Sequence, residues 1–145
     1  MQSRDQLTIP DQAAAAIIRL SKVQAIGQIA ADATGAVPEF PFYCAPYDGV
    51  IKNAYYVPMA ASTPASGSNS QALLVQKYDG AGGSAASVAG KSVANATPTA
   101  ALQPFSLGTL SNTAISKGNV LTFKSTLTGT ATLPLGFICV EIEAN

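Results

Sequence analysis

The residue types that carry most enzymatic and metal chemistry are scarce in this sequence. The chain of 145 residues has no histidine, and its two cysteines are Cys44 and Cys139. Histidine is the usual general base and the commonest zinc and copper ligand, and two cysteines are too few for a structural zinc site. We expect both cysteines to be reduced, buried and small apolar side chains, although a disulfide between them stays open. The sequence predicts a protein that is not an enzyme, with no catalytic residue, metal or cofactor.

Each of three further motifs could have a chemical role, but a structural role explains it more simply. The run Gly80-Ala81-Gly82-Gly83 lacks the lysine and hydroxyl residue that end a phosphate-binding loop, so a hairpin tip is favoured. Asp48 and Asp79 each precede a glycine, which is typical of turns. Glu141 and Glu143 alternate on the last predicted strand, so both are expected to face solvent or a lysine of a neighbouring subunit.

The aromatic cluster of the sequence is a group of tyrosines: Tyr43, Tyr47, Tyr55 and Tyr56. Tyrosines of this kind form stacking platforms in carbohydrate-binding modules. Aromatic side chains also concentrate in hydrophobic cores and at the centres of subunit interfaces. We therefore favour these four tyrosines as subunit-interface or core aromatics, with glycan binding as the alternative.

The charge of the chain is low and unevenly distributed. Charged residues make up 11% of the sequence, with eight basic and eight acidic side chains, which argues against nucleic-acid binding. No charge occurs between Lys52 and Lys77, between Lys91 and Lys117, or between Lys124 and Glu141. One interpretation is long solvated loops, and the other is surface that a partner covers, because interface cores are depleted of charge. We favour the covered surface.

Residues 1–39 differ from the rest of the chain and are predicted to form a helical arm. Pro10 and Asp11 suit the first turn of a helix, and Thr34-Gly35 suits its end. Apolar residues recur between them at helical spacing. This helix packs either on its own domain or on another subunit, and the candidate contact residues of the arm are Ile17, Ile18, Leu20, Val23 and Ile26. The apolar run is too short for a membrane span and lacks a signal-peptide layout, so we expect no membrane partner and a cytoplasmic origin.

Residues 40–145 show a β pattern. About seven or eight short strands at spacings of 8–12 residues predict an antiparallel sandwich or barrel. In the clearest of them, 50–57, alternation places Ala54 and Tyr56 on one face with Val50 and Lys52, and Ile51 on the other. No helix between these strands is long enough for a parallel crossover, so the predicted fold is mainly β with an N-terminal arm.

Several stretches of this β region resemble a known family. Residues 42–54 (FYCAPYDGVIKNA), 107–110 (LGTL), 117–123 (KGNVLTF), 129–130 (GT) and 133–134 (LP) are similar to the jelly-roll head-decoration, or cement, proteins of tailed bacteriophages. The resemblance covers about residues 40–143 and implies a jelly-roll β-sandwich.

The resemblance also implies a function. Such proteins are typically non-enzymatic homotrimers that sit on the outer capsid surface, contact the major capsid protein, and in some cases clamp neighbouring subunits with a terminal arm. The expected function is a structural virion protein, assembled in the host cytoplasm, that decorates and stabilises a bacteriophage capsid by bridging neighbouring shell subunits. The alternative is a virion fibre knob or a lectin-like glycan-binding module.

Overall fold

The computed structural model describes residues 23–29, 35–36, 39–61, 69–94, 100–129 and 131–145. For residues 23–29, 35–36 and 94 it describes the backbone but not the side chains. This part of the chain contains β-strands and no helix. The strands are β1 (Val23–Ile29), β2 (Gly35–Ala36), β3 (Phe40–Cys44), β4 (Gly49–Pro58), β5 (Ser70–Tyr78), β6 (Ala86–Ala94), β7 (Phe105–Ser106), β8 (Ala114–Ile115), β9 (Val120–Thr128) and β10 (Gly136–Ala144). Consequently, the described residues offer no helix that could cross a membrane.

The strands form two five-stranded antiparallel sheets. The first sheet has the order β1-β10-β4-β7, and β8 pairs with the other end of β4. The second sheet has the order β2-β9-β5-β6, and β3 also pairs with β9. Most neighbours are distant in sequence, so the sheets are built from long-range pairings rather than from a simple meander.

The two sheets face each other across one hydrophobic core. Alternate side chains of each long strand point into it, such as Leu73 and Val75 on β5 and Leu121 and Phe123 on β9. The ring of Tyr56 on β4 stacks against Phe123 with centroids 6.3 Å apart, which joins the first sheet to the second. The strand alternation visible in the sequence therefore becomes the inner and outer faces of a sandwich.

The prediction of a mainly β, antiparallel fold with about eight strands is confirmed. In β4, however, the predicted assignment of side chains to the two faces of the strand is partly wrong. Ile51 is buried on β4 together with Ala54 and Tyr56, whereas Lys52 is exposed. The pairing register with β10 shifts between Glu141 and Ile142, so β4 carries an extra residue there. Such a bulge changes the side-chain alternation, and a strict period of two cannot anticipate it.

The predicted N-terminal helix is not confirmed, and part of it is wrong. Val23 to Ile29 form strand β1, which pairs along its whole length with β10, so Val23 and Ile26 lie in a sheet. Helix propensity is weak here because β-branched residues and Gly27 disfavour a helix, and the open edge of β10 satisfies the backbone instead. Ile17, Ile18 and Leu20 lie outside the described residues. The division of the chain between residues 39 and 40 stays a prediction, although β1 belongs to the first sheet.

Candidate functional site

One end of the sandwich carries many of its charges. Lys117 donates its backbone N–H to the Asp48 carboxylate over 2.7 Å, and the Lys77 ammonium donates to the Asn112 and Ala114 carbonyls over 3.1 and 2.5 Å. Asp79 accepts hydrogen bonds from the N–H groups of Ala81 and Gly83. We call this region the charged end, and it comprises residues 45–48, 77–83, 112–119 and 143–145. Its charged groups hold its own turns in place.

The opposite end has no charged side chain in the described residues. It comprises residues 57–61, 69–72, 92–94, 100–104, 126–129 and 131–137, which we call the charge-free end. Neutral hydrogen bonds hold it together: the Tyr56 hydroxyl donates to the Pro134 carbonyl, and the Gln71 amide donates to the Thr132 carbonyl. Gln71 is fully buried. Long uncharged stretches that are separate in the sequence thus meet at one place in the fold.

The charge-free end also presents an apolar patch. Met59, Leu102 and Phe137 are the large apolar side chains that stand exposed among the described residues, at 47%, 69% and 38% of their full accessibility. Their segments are joined: the Met59 N–H donates to the Leu135 carbonyl, and the Leu102 N–H donates to the Pro58 carbonyl. Phe137 pairs with Val57, directly before Pro58. We call Met59, Leu102 and Phe137 the apolar patch, and its composition is typical of a surface that another protein covers.

Leu102 has a backbone conformation that its side chain does not favour. Its φ angle is 57°, in the left-handed region, where a residue with a Cβ is disfavoured by about 1 kcal/mol or more. Burial does not compensate for this cost, because the side chain is mostly exposed. A strained and exposed leucine whose conformation its own burial does not explain is a candidate contact residue.

A groove lies beside the patch on the outer face of the first sheet. It has a volume of about 350 Å³ and is lined by Tyr55, Val57, Pro104, Cys139 and Glu141, and we call it the outer groove. The Asn53 amide donates to the Glu141 carboxylate at its polar end. Burial, followed by the charge of Glu141, raises the pKa of the Cys139 thiol. The groove is therefore apolar at Val57 and Pro104 and acidic at Glu141.

The structure keeps Tyr43 and Tyr47 together and places Tyr55 and Tyr56 elsewhere. Tyr56 is completely buried in the core, and burial raises its pKa. Tyr43 lies on β3, where burial and then the neighbouring Tyr47 raise its pKa to about 12. Tyr55 lies in the outer groove on the far side of the first sheet. The four residues do not form one stacking platform.

The remaining candidates have structural roles. Gly80 to Gly83 form the tip of the β5–β6 hairpin, where the Asp79 carboxylate accepts the turn N–H groups. Glu143 pairs with Lys52 of its own chain over 2.9 Å on the exposed surface. Both cysteines are free, and the expectation that both are buried is wrong for Cys44, which is exposed on β3. No group of three or more metal-ligand side chains comes together in the described part of the chain.

Sequence reasoning missed the apolar patch. Met59, Leu102 and Phe137 are far apart in the chain and show no common motif. The signal that could have found them is the absence of charge around each, because all three lie in the uncharged stretches. No protein-family model matches the chain, and neither a curated protein nor a solved structure shows significant similarity to it.

Proposed function

We propose that this protein is a structural virion protein that decorates and stabilises a bacteriophage capsid by bridging neighbouring shell subunits. The partner is the major capsid protein on the outer capsid surface, and the protein acts as a homotrimer. The observation that carries the proposal is the apolar patch on the charge-free end. Two facing antiparallel sheets are also consistent with the jelly roll of the decoration proteins that residues 42–54 resemble.

An uncharged docking end suits this function for a physical reason. Burying Met59, Leu102 and Phe137 against a shell subunit removes apolar area from water at about 25 cal/mol for each Å². No charged side chain among the described residues of this end has to lose its hydration, so their desolvation penalty is small. A modest contact of this type is repeated at every equivalent position of the shell, and the contacts of a trimer add through multivalency.

Bridging requires a second contact for each copy. Ile17, Ile18 and Leu20 of the N-terminal segment are the candidates for it, as the sequence predicts. In the homotrimer, three patches and three N-terminal segments engage neighbouring shell subunits together. The bridge then resists separation of those subunits under the internal pressure of packaged DNA.

The proposal is tested with DNA-filled heads of the phage that encodes the chain, prepared without the protein. Added protein is expected to raise the temperature at which the heads release their DNA. A Met59→Gln/Leu102→Asn variant is expected to bind the heads at least about tenfold more weakly, which corresponds to a loss of about 1.4 kcal/mol. The matched control is Leu74→Gln, a partly buried leucine on the outer face of the second sheet. Equal release temperatures with and without the protein would rule out stabilisation.

The oligomeric state has a separate test in light scattering after size-exclusion chromatography. A trimer that persists on dilution is expected. A monodisperse monomer would remove the trimer from the proposal and leave single copies as the bridging unit.

A glycan-binding module is the second candidate function, and the outer groove favours it. Tyr55 lines the groove beside the Glu141 carboxylate and near the Asn53 amide, and an aromatic ring next to polar acceptors suits a sugar. Binding on a glycan array that Tyr55→Ala abolishes, and Tyr55→Phe retains, would support this function. No binding at millimolar glycan would exclude it.

A further inference from the structure

We propose that residues 13–20 of the chain dock in the outer groove of the same copy. This proposal does not depend on the proposed function, because it concerns the free protein. Contact of Ile17, Ile18 and Leu20 with a shell subunit requires the segment to leave the groove first. It rests on three observations: the two-part character of the groove, the place where β1 begins, and the order of apolar and basic residues before β1.

The groove changes character along the strand direction. Near the charge-free end its side chains are Tyr55, Val57 and Pro104, with Cys139 opposite Tyr55 in the β4–β10 register. Toward the charged end it continues into a second hollow of about 260 Å³ whose lining includes the carboxylates of Glu141 and Glu143. Lys52 is the single cation that lines either hollow in the described residues, and it pairs with Glu143 over 2.9 Å, so that Glu141 leaves this end with one net negative charge. The occupant should therefore be apolar at one end and basic at the other.

The chain approaches the acidic end of this groove. Strand β1 pairs with β10 in the first sheet, and its first residue, Val23, pairs with Ile142 between the two glutamates. Twenty-two residues precede Val23. The step from Ile142 back to Cys139 along β10 is about 10 Å, which three extended residues cover. A segment that ends a few residues before Val23 can therefore lie along the groove without stretching the chain.

The sequence before Val23 has the matching order of side chains. Lys22 and Arg19 come next to β1, where Glu141 and Glu143 lie. The run Ala13 to Ile18 is apolar and lies further from β1, where the groove is lined by Tyr55 and Val57. The basic residues face the glutamates, and the apolar run faces the apolar part of the groove, only if the segment runs from β1 toward the charge-free end. Tethering to β1 makes the contact intramolecular, so even a weak interaction is populated.

The experiment uses Cys139 as a reporter, because a docked segment covers it. The full chain is treated with a thiol-labelling reagent, and the labelling rates of Cys139 and Cys44 are measured separately by mass spectrometry. Ile17→Asp/Ile18→Asp is expected to label Cys139 about tenfold faster than the native chain, the factor for a loss of about 1.4 kcal/mol of docking. Cys44 is exposed on the other sheet and should label at the same rate in both proteins.

The control variant, Gln2→Asp/Ser3→Asp, adds the same two charges outside the apolar run and should leave the Cys139 rate unchanged. Arg19→Glu, a milder change, is also expected to raise the labelling rate of Cys139. This variant tests the proposal if the isoleucine variant does not fold. Equal Cys139 rates in the native, isoleucine and Arg19 proteins would overturn the proposal. Protection that disappears on hundredfold dilution would also overturn it, because docking within one copy is independent of concentration.

Discussion

Two loops at opposite ends of the sandwich hold a non-glycine residue in the left-handed backbone conformation. At the charged end the residue is Asn112, with a φ of 49°, and its side-chain amide donates to the Ser87 carbonyl over 2.9 Å. At the charge-free end it is Leu102, with a φ of 57° and 69% of its surface exposed. Asparagine tolerates this conformation well, whereas leucine does not.

The surroundings of the two residues contribute differently to the stability of the isolated chain. Around Asn112 each unusual feature stabilises the fold itself, since Lys77 donates to the carbonyls of Asn112 and Ala114. Around Leu102 the unusual features, strain and apolar exposure, do not stabilise the isolated chain. The difference is consistent with our proposal that the charge-free end docks on a partner, and four substitutions test it.

The largest effect is expected beneath the apolar patch, for Gly136→Ala. A Cβ at this position would lie 2.6 Å from both the Tyr56 ring and the Val57 carbonyl oxygen, so strand β10 or the core has to shift. We expect a loss of about 3 kcal/mol in the free energy of unfolding, measured by urea denaturation. The control at the charged end is Gly82→Ala, which meets open space but has a φ of 76° and should cost about 1 kcal/mol. Equal losses would show that the charge-free end is not tightly packed beneath its patch.

The most informative change is Leu102→Asn, because its effects on stability and on binding should have opposite signs. Asparagine relieves the left-handed strain, so the free energy of unfolding should rise by about 1 kcal/mol, while affinity for the shell falls. Asn112→Leu should lower stability and leave binding unchanged. A Leu102→Asn protein that is less stable than the native chain would contradict our view that the leucine side chain does not offset the strain of its backbone.

At the charged end, Lys77→Met is expected to cause a smaller loss of stability than Gly136→Ala. The ammonium holds the carbonyls of Asn112 and Ala114, so its loss frees the loop before β8 and should cost about 1 kcal/mol in thermal unfolding. Lys124→Met removes the same charge from the outer face of β9 and is the control. If both variants unfold alike, the hydrogen bonds of Lys77 do not stabilise this end.

The smallest effect is expected for Glu143→Gln, which breaks the ion pair with Lys52. Both side chains are about half exposed, so solvent screens the pair and we expect a change of less than about 0.5 kcal/mol. The difference from the native chain should vanish in about 1 M salt, where screening is nearly complete. A larger loss that persists in salt would show that Glu143 stabilises the fold through more than this pair.

Much of the fold could be predicted from local patterns. Strand β10 shows alternation of Ile138, Val140 and Ile142, and these three residues are buried in the core as expected. The bulge at Lys52 and the strand at Val23 to Ile29 could not be predicted, because both depend on the edge and register of β10 rather than on local sequence. Among the candidate subunit-interface or core aromatics, Tyr56 lies in the core and Tyr55 lines the outer groove, and no local rule separates these two neighbours. A subunit-interface role for the tyrosines stays a prediction.

The mainly β class, the low and balanced charge, and the uncharged stretches can all be read from the sequence. These properties follow from composition and from the period-two pattern of single strands, which act over a few residues. Only the folded chain shows that those stretches meet at one end, that the segments of the exposed Met59, Leu102 and Phe137 are joined there, and that Tyr55 lies beside Cys139 and Glu141. These arrangements depend on which distant strands pair and in which register, and that choice is made by the shared core of the two sheets.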